Sequence, residues 1–412
     1  MDAPGVAVAR GPENAQGRRL ELTILMPCLN EVETLAKCIA KARAFLQTSG
    51  IQGEVLIADN GSTDGSQAIA VSNGARVIRA DEHGYGAALH AGFLAAQGDY
   101  VVMGDADDSY DFSQLGGFLA KLREGYDLVM GNRFDGGIRP GAMPWKNQHI
   151  GNPILSGIGR LFFDSSVHDF HSGLRGMKRA AYERLQLKTL GMEYASEMIV
   201  KATLLGMRVT EVPTTLDPDG RSRPPHLRPW RDGWRHLRFL LLFSPKWLFL
   251  YPGLALMLLG MGFGLALIRG PIMITPHHGL DVHSLLYASA AVLLGYQSVT
   301  FAFLARIFAL NEGLVVNDPS VQRLFKWFTL ELGLAVGTIL ILAGLVGSVA
   351  AVVIWQRAGF GVLDPSRVLR TVVPATTTLT LGAQTVLFSF FFSFLGLNRR
   401  RSSFVTTEQP KG

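Results

Sequence analysis

Three carboxylates stand together at the point where an apolar run ends. Tyr100–Met103 has the pattern of a buried strand, and Asp105, Asp107 and Asp108 follow it closely. Clustered carboxylates are costly unless a cation lies opposite them. Asp105 and Asp107 are two positions apart, so on an extended tip they face the same way, and such hard oxygen ligands suit Mg2+ or Mn2+ carrying a substrate phosphate. The spacing therefore predicts a metal site formed by Asp105 and Asp107.

An Asp-x-Asp pattern alone is more often an ordinary acidic turn, so its interpretation depends on the elements around it. The predicted strands are Leu22–Pro27, Glu54–Ala58, Ala75–Ile78, Tyr100–Gly104 and Asp127–Met130, with helical segments between them. This alternation predicts an α/β fold with a mostly parallel sheet covered on both faces. Ligands of such sheets bind beyond the carboxyl ends of the strands. Four loops should therefore converge on one crevice: Pro27–Glu31, Asp59–Asp64, Asp105–Ser109 and Asn132–Arg133.

A glycine-containing loop, His83–Gly92, follows the third predicted strand. Small residues there would let the backbone approach a pyrophosphate and let the next helix pack closely on the sheet. A Rossmann dinucleotide fold is the competing explanation. It is disfavoured because the glycines follow the third strand and not the first, and because no G-x-G-x-x-G is completed.

Composition separates the chain into two parts. The 412 residues are 48% hydrophobic with a net charge of +6, and long apolar runs with almost no charge are confined to the last part. Much of the basic excess lies just before the first such run and at the C-terminus, which favours a cytoplasmic membrane face and excludes nucleic acid as the partner. Cys28 and Cys38 show no pairing or metal-ligand pattern, which indicates a reduced compartment.

Five short motifs occur in order along the first half of the chain: Met26–Glu31, Ala58–Gly65, Gly84–Ala88, Asp105–Asp107 and Gly131–Phe134. They resemble the ordered motifs of family-2 glycosyltransferases, which have the Rossmann-like GT-A fold. Within that family the chain looks most like the polyprenyl-phosphate sugar synthases, such as dolichol-phosphate mannose synthase and bactoprenol glucosyltransferase. The resemblance covers about Leu22 to Leu216.

The resemblance implies a donor site with a metal. Its donor-binding residues would be Pro27, Asn30, Glu31, Asp59, Gly86, Asp105, Arg221 and Arg223. Asp105 would contact both ribose and metal, whereas Asp107 would bind the metal directly and count as catalytic. This chain has Ser109 where the synthases often have Gln, so whether Asp108 or Ser109 joins the metal shell stays open.

The resemblance also implies an acceptor site. Arg133 fills the family's motif position, and Lys146 and His149 follow it on a Gly/Pro-rich connection suited to a lipid phosphate. Arg175, in the segment that closes the donor sugar site, is expected to contact the diphosphate or the acceptor. Arg221 and Arg223 lie in a Gly/Pro/Arg stretch that resembles a flexible lid over the donor diphosphate.

The C-terminal part is predicted to lie in a membrane. Trp230–Phe249 mixes aromatic and basic residues, as interfacial helices do. Four candidate spans follow: Leu248–Ile268, Ser284–Leu310, Leu330–Trp355 and Thr371–Leu397. The predicted organisation is a disordered tail (1–20), a GT-A domain (21–220), a lid with interfacial helices (221–247), four transmembrane helices (248–398) and a cytoplasmic tail (399–412).

The expected activity is inverting, metal-dependent transfer of a hexosyl group from a nucleotide sugar to an undecaprenyl or dolichyl phosphate. The donor would be a UDP-hexose or GDP-mannose, with UDP-hexose preferred, and the protein would sit in the plasma or inner membrane with its catalytic domain in the cytoplasm. Two alternatives stay open: a processive polysaccharide synthase, although its Gln-x-x-Arg-Trp motif is missing, and a non-catalytic lipid-handling protein that binds nucleotide. A homo-oligomer is also left open.

Overall fold

The computed structural model describes residues 20–222, 229–275, 277–311 and 329–404. They divide into two compact units, one ending at Phe243 and the other beginning at Ser244. The first unit alternates strands and helices, and the second consists mainly of long apolar helices.

The first unit contains seven strands and nine α-helices within the described ranges. The strands are β1 (Leu22–Cys28), β2 (Gly53–Asp59), β3 (Arg76–Arg79), β4 (Tyr100–Met103), β5 (Leu128–Asn132), β6 (Arg175–Lys178) and β7 (Val209–Pro213). The helices are α1 (Leu35–Ser49), α2 (Ser66–Ser72), α3 (Tyr85–Ala95), α4 (Gly116–Arg123), α5 (Arg133–Gly136), α6 (Asn152–Phe163), α7 (Arg179–Leu185), α8 (Tyr194–Leu204) and α9 (Pro229–Leu242). A π-helical turn, Asn147–Gly151, leads into α6.

One sheet in the order β3-β2-β1-β4-β6-β5-β7 organises this unit. β6 runs antiparallel to β4 and β5, while the other neighbouring pairs are parallel. The predicted mostly parallel α/β sheet of the GT-A fold is thus confirmed. The sequence did not predict β6 and β7. Both strands are short and carry polar residues, and they lack the long apolar run that indicates a central strand.

Side chains that alternate along the central strands pack into two hydrophobic layers. On β4, Val102 belongs to the layer with α1 and α4, whereas Val101 and Met103 belong to the layer with α3 and α8. Helices therefore cover both faces of the sheet, as a parallel sheet buried on both sides requires. This leaves the carboxyl ends of β1, β2, β4 and β5 to carry polar loops, as predicted.

The described part of the second unit contains four helices of membrane-spanning length. They are α10 (Tyr251–Arg269), which continues a π-helical turn at Lys246–Leu250, and α11 (Val282–Asn311), α12 (Leu330–Arg357) and α13 (Pro365–Phe404). The apolar spans are Lys246–Arg269, Val282–Leu310, Leu330–Arg357 and Pro365–Leu395, which confirms four spans close to the predicted ranges. A short hairpin, β8 (Ile272–Thr275) and β9 (His278–Leu280), joins the first two and was not predicted.

Small residues and polar contacts hold the long helices together. A Cβ on Gly337 of α12 would lie 2.6 Å from the Val386 side chain of α13, so the missing side chain permits the close approach. Between α11 and α13, the hydroxyls of Ser289 and Thr377 are 2.5 Å apart. Those of Tyr296 and Thr385 are 2.8 Å apart. Asp281 pairs with Arg370 at the start of the same two helices.

Candidate active site

The loops after β1 and β2 are tied together by side-chain hydrogen bonds. Asn30, with a left-handed φ of 59°, accepts a hydrogen bond from the Thr63 amide at 2.8 Å through its Oδ1. The Glu31 amide donates to Ser66 Oγ at 2.9 Å. Asp59 is buried and accepts from the Gln67 amide nitrogen at 2.6 Å. These contacts fix three of the predicted donor-binding residues at one edge of the sheet, next to Pro27 at the end of β1.

Asp105 lies just beyond β4 and is held by Tyr85. The Tyr85 hydroxyl donates to Asp105 Oδ1 at 3.0 Å. Burial and, second, the negative charge of Asp107 together raise the pKa of Asp105 to about 6, against the opposing effects of Tyr85, Arg221 and Arg133. The two carboxylates are thus close enough to repel each other, as a shared cation site requires.

Asp107 is nearly buried and shares a guanidinium with a second carboxylate. Its Oδ1 accepts from the Ser109 hydroxyl at 2.5 Å, and its Oδ2 lies 2.8 Å from Arg221. The same Arg221 lies 3.1 Å from Glu31 and 3.0 Å from Asp219. Arg221 therefore supplies positive charge to the acidic group at this edge of the sheet.

Asp108 has a different set of partners. Its backbone is left-handed, with φ 64°, and its carboxylate pairs with Lys37 and with Lys41, the latter at 2.7 Å. Both lysines lie on one face of α1, at positions i and i+4. Asp108 is therefore neutralised by the protein itself, and Ser109 is engaged with Asp107. In this arrangement neither is free to complete a metal shell.

Arg133 is buried and paired with Asp169. Two parallel bonds join its guanidinium to the carboxylate, at 2.7 Å from Nε and 2.8 Å from Nη2. Glu211 supports this pair by accepting the Asp169 amide at 2.9 Å and the His168 amide at 2.8 Å. A bidentate pair of this kind fixes the orientation of the guanidinium. The positive charge of Arg133 also acts on Asp105, whose pKa it lowers.

Arg175 lies in the interior, with backbone carbonyls as its partners. This side chain is fully buried, and it donates to the carbonyls of Ser172 at 2.8 Å, Phe170 at 3.0 Å and Ala195. Burial lowers its pKa. Because three backbone carbonyls accept from its guanidinium, Arg175 holds the 169–175 loop in shape.

Gly86 packs against the loop at residues 188–190. Its amide donates to the Leu190 carbonyl at 2.9 Å, and a Cβ there would lie 2.6 Å from the Thr189 carbonyl oxygen. The small residue therefore allows the 188–190 loop to pack closely against the start of α3. Glu197 orders that loop by accepting from the Lys188 and Thr189 amides, at 3.1 and 2.9 Å.

Three predicted residues remain: Lys146 and His149 are described, and Arg223 is not. Lys146 and His149 are exposed, and the His149 ring lies 5.1 Å from that of Trp145. The structure shows neither beside the Arg133–Asp169 pair. Arg223 lies outside the described residues.

Several contacts around the site were not predicted. The His171 Nε2 is buried with no hydrogen-bond partner among the described residues, and its ring lies 4.7 Å from that of His236 on α9. Burial, with the nearby His236, Arg133 and Arg175, holds the pKa of His171 well below its usual range. Tyr85 and Lys37 were also missed, although Tyr85 stands inside the Gly84–Ala88 motif, which is a usable signal.

The protein supplies only part of the ligand set that a divalent ion needs. Across residues 20–222 and the other described ranges, no group of three or more His, Cys, Asp or Glu side chains is arranged to hold a metal. Mg2+ is commonly bound by one or two carboxylates together with substrate phosphates and water. Asp105 and Asp107 supply such a pair, and Arg221 shows that a positive charge is stable beside Asp107.

Comparison with known proteins agrees with this arrangement. Residues 23–186 match the family described as Glycosyl transferase family 2, and residues 303–396 match the Glycosyltransferase family 2 C-terminal transmembrane region. The "Low-salt glycan biosynthesis hexosyltransferase Agl6" of Haloferax volcanii is 36% identical over 383 residues, covering 91% of this chain and 89% of its own. A "Dolichyl-phosphate hexose transferase" of the same organism is 31% identical, covering 47% of this chain and 81% of its own.

Among solved structures, glucosyl-3-phosphoglycerate synthase from Mycobacterium tuberculosis, in complex with Mn2+, UDP and glucosyl-3-phosphoglycerate, aligns with a TM-score of 0.42 and 22% identity. The alignment covers 54% of this chain and 78% of that one. The resemblance noted from the motifs is confirmed by the family matches and by the full-length relative. The protein is therefore a membrane-embedded member of glycosyltransferase family 2.

Proposed function

We propose that the protein transfers a hexosyl group, with inversion, from a nucleotide-diphosphate sugar to a membrane polyprenyl phosphate. The observation that carries this is the convergence of Asp105, Asp107 and Arg133 at one edge of the sheet, in a chain that also has four spans of membrane length. A relative named for dolichyl phosphate supports the choice of acceptor.

Asp105 and Asp107 would hold Mg2+ or Mn2+, which when bound neutralises charge on the departing nucleoside diphosphate. Asn30, Glu31 and Asp59 lie at the ends of β1 and β2 and would hold the nucleoside. We propose that the donor is a UDP-hexose in preference to GDP-mannose.

Arg133 would orient the acceptor phosphate, because Asp169 fixes its guanidinium plane. Lys146 and His149 would meet the phosphate at the protein surface, with the catalytic unit on the cytoplasmic side of the plasma or inner membrane. A phosphate monoester is already anionic near neutral pH, so the acceptor needs no strong protein base. Membership of a glycosyltransferase family argues against the non-catalytic alternative.

The test is sugar transfer by the full chain in membranes, with a panel of sugar nucleotides, a polyprenyl phosphate and added Mn2+, and mass spectrometry of the lipid product. Asp107→Asn should lower turnover about 100-fold or more, as loss of one preorganised electrostatic group does. Asp111→Asn is the matched control, since Asp111 caps its own turn through Ser113 and Gln114. Near wild-type turnover of Asp107→Asn would remove the metal role, and a polymeric product would favour the polysaccharide synthase.

A further inference from the structure

An apolar strip runs along the outer side of α6 and the turn before it. Ile150, Ile154 and Leu161 are 46%, 55% and 60% exposed, and Trp145 just before them is 65% exposed. Their spacing of four and seven residues places the three aliphatic side chains on one side of the helix. Large apolar residues grouped in this way mark an interaction surface more often than chance exposure does.

The charged side chains between Trp145 and Phe163 are both basic. Lys146 and Arg160 are exposed along this segment, and the first acidic residue after it is Asp164, at the end of α6. An apolar stripe with a Trp and flanking cations is the pattern of a helix lying in the headgroup layer of a bilayer. It fits anionic lipid better than it fits a protein partner of mixed charge.

Chain continuity supports the same occupant. The inner side of α6 packs with α9 through a cluster that includes Phe163, Phe239 and Leu240. α9 exposes Trp234 at 59% and ends at Leu242, and the first apolar span begins at Lys246. The helix that α6 packs against is thus separated from membrane-embedded chain by only a few residues.

We propose that the α6 strip, formed by Trp145, Ile150, Ile154 and Leu161, is a membrane-docking surface that rests on anionic lipid headgroups. The opposite side of α6 contacts the 169–175 loop: Ser156 Oγ accepts the Phe170 amide at 3.3 Å, and a Cβ on Gly159 would lie 2.6 Å from the Phe170 ring. Phe170 is the neighbour of Asp169, which holds Arg133. Docking would therefore bring the segment that holds Arg133, through Asp169, close to the lipid surface.

The chain offers a clean labelling experiment. Both native cysteines are buried, and burial raises the pKa of Cys28 to about 11 and of Cys38 to about 12, so an introduced surface thiol reacts selectively. Ile154→Cys and Leu161→Cys place a spin label on the strip. Val71→Cys is the control, since Val71 is 63% exposed on α2, away from α6.

The full chain is placed in nanodiscs of phosphatidylcholine with phosphatidylglycerol, and each label is relaxed with O2 or with a water-soluble nickel complex. At positions 154 and 161, O2 should be the stronger relaxant by several-fold, with the opposite order at position 71. Water-like accessibility at all three positions would overturn the proposal. So would dipolar coupling between labels at position 154 on separate molecules, which would assign the strip to a second copy. Sugar transfer plays no part in this readout, so its outcome is independent of the proposed reaction.

Discussion

Arg221 is the residue whose position has the clearest functional consequence. Its guanidinium forms ion pairs with the carboxylates of Asp107, Glu31 and Asp219. The adjacent Ser222 donates to Glu33 at 2.7 Å through its amide and at 2.6 Å through its hydroxyl. The same carboxylate oxygen of Asp107 cannot bind Arg221 and a metal ion equally well. The segment expected to cover the donor diphosphate is thus anchored, without ligands, on the acidic group.

Arg221→Ala should therefore tighten Mn2+ binding to the nucleotide-free protein by about tenfold, which corresponds to about 1.4 kcal/mol. The same substitution should weaken binding of the sugar nucleotide, because a cation for its diphosphate is lost. Mn2+ electron paramagnetic resonance titration measures the first effect and the KM for the donor measures the second.

Arg139→Ala is the control for this comparison, because Arg139 pairs with Asp217 at 3.4 Å from an exposed position. Mn2+ affinity that is unchanged or weaker in Arg221→Ala, relative to Arg139→Ala, would contradict competition between the guanidinium and the ion.

At the scale of elements, the site depends on how closely the 169–175 loop approaches the end of β4. The Gly173 amide donates to the Tyr110 hydroxyl at 2.8 Å, and a Cβ at Gly173 would lie 2.4 Å from Asp105 Oδ2. The loop that carries Asp169 and the carboxylate after β4 are therefore in contact, and glycine is what allows it.

Gly173→Ala should lower turnover at least tenfold while costing about 1–3 kcal/mol of stability, since an inserted methyl group displaces either the loop or Asp105. Gly116→Ala is the matched control, because a Cβ there meets nothing within 4 Å. Steady-state rates and thermal melting of both variants in nanodiscs make the comparison. Full activity in Gly173→Ala would show that Asp105 tolerates displacement.

The elements also show what sequence reasoning could reach. Apolar runs located β1, β2, β4 and β5, and turn residues after them located Asn30, Asp59 and Asp107, since both signals are local. The contacts of Arg175 and Gly86 were not predicted because their partners, the carbonyls of Ala195 and Leu190, are distant in sequence. Residue type and motif position do not reveal whether a guanidinium faces ligand or backbone.

For the molecule as a whole, acid is expected to lower the free energy of unfolding of the first unit, because His171 has a lowered pKa in the folded protein. Its folded pKa lies well below the usual value of about 6.5, so below that pH the unfolded chain binds a proton that the folded protein does not. The contribution of His171 to the free energy of unfolding is therefore fully present above about pH 6.5 and is lost as the pH falls further. The groups facing this ring, His236, Arg133 and Arg175, would all oppose its protonation.

Lowering the pH from about 7.5 to about 5.5 should reduce the melting temperature of the wild type more than that of His171→Gln, in which this proton uptake is absent. His83→Gln serves as the control, because His83 is exposed. Differential scanning fluorimetry in nanodiscs provides the measurement. Equal acid sensitivity in wild type and His171→Gln would assign the loss to other groups.

The contacts between α11 and α13 bear on how the second unit can move. Asp281 with Arg370, Ser289 with Thr377, and Tyr296 with Thr385 recur every two helical turns along a pair of helices that run in the same direction. Sliding one helix past the other by a single turn would break all three at once, in surroundings where water cannot replace the lost partners. We therefore expect these two helices to move together as one unit. A conformational change that accompanies turnover would then involve other parts of the chain.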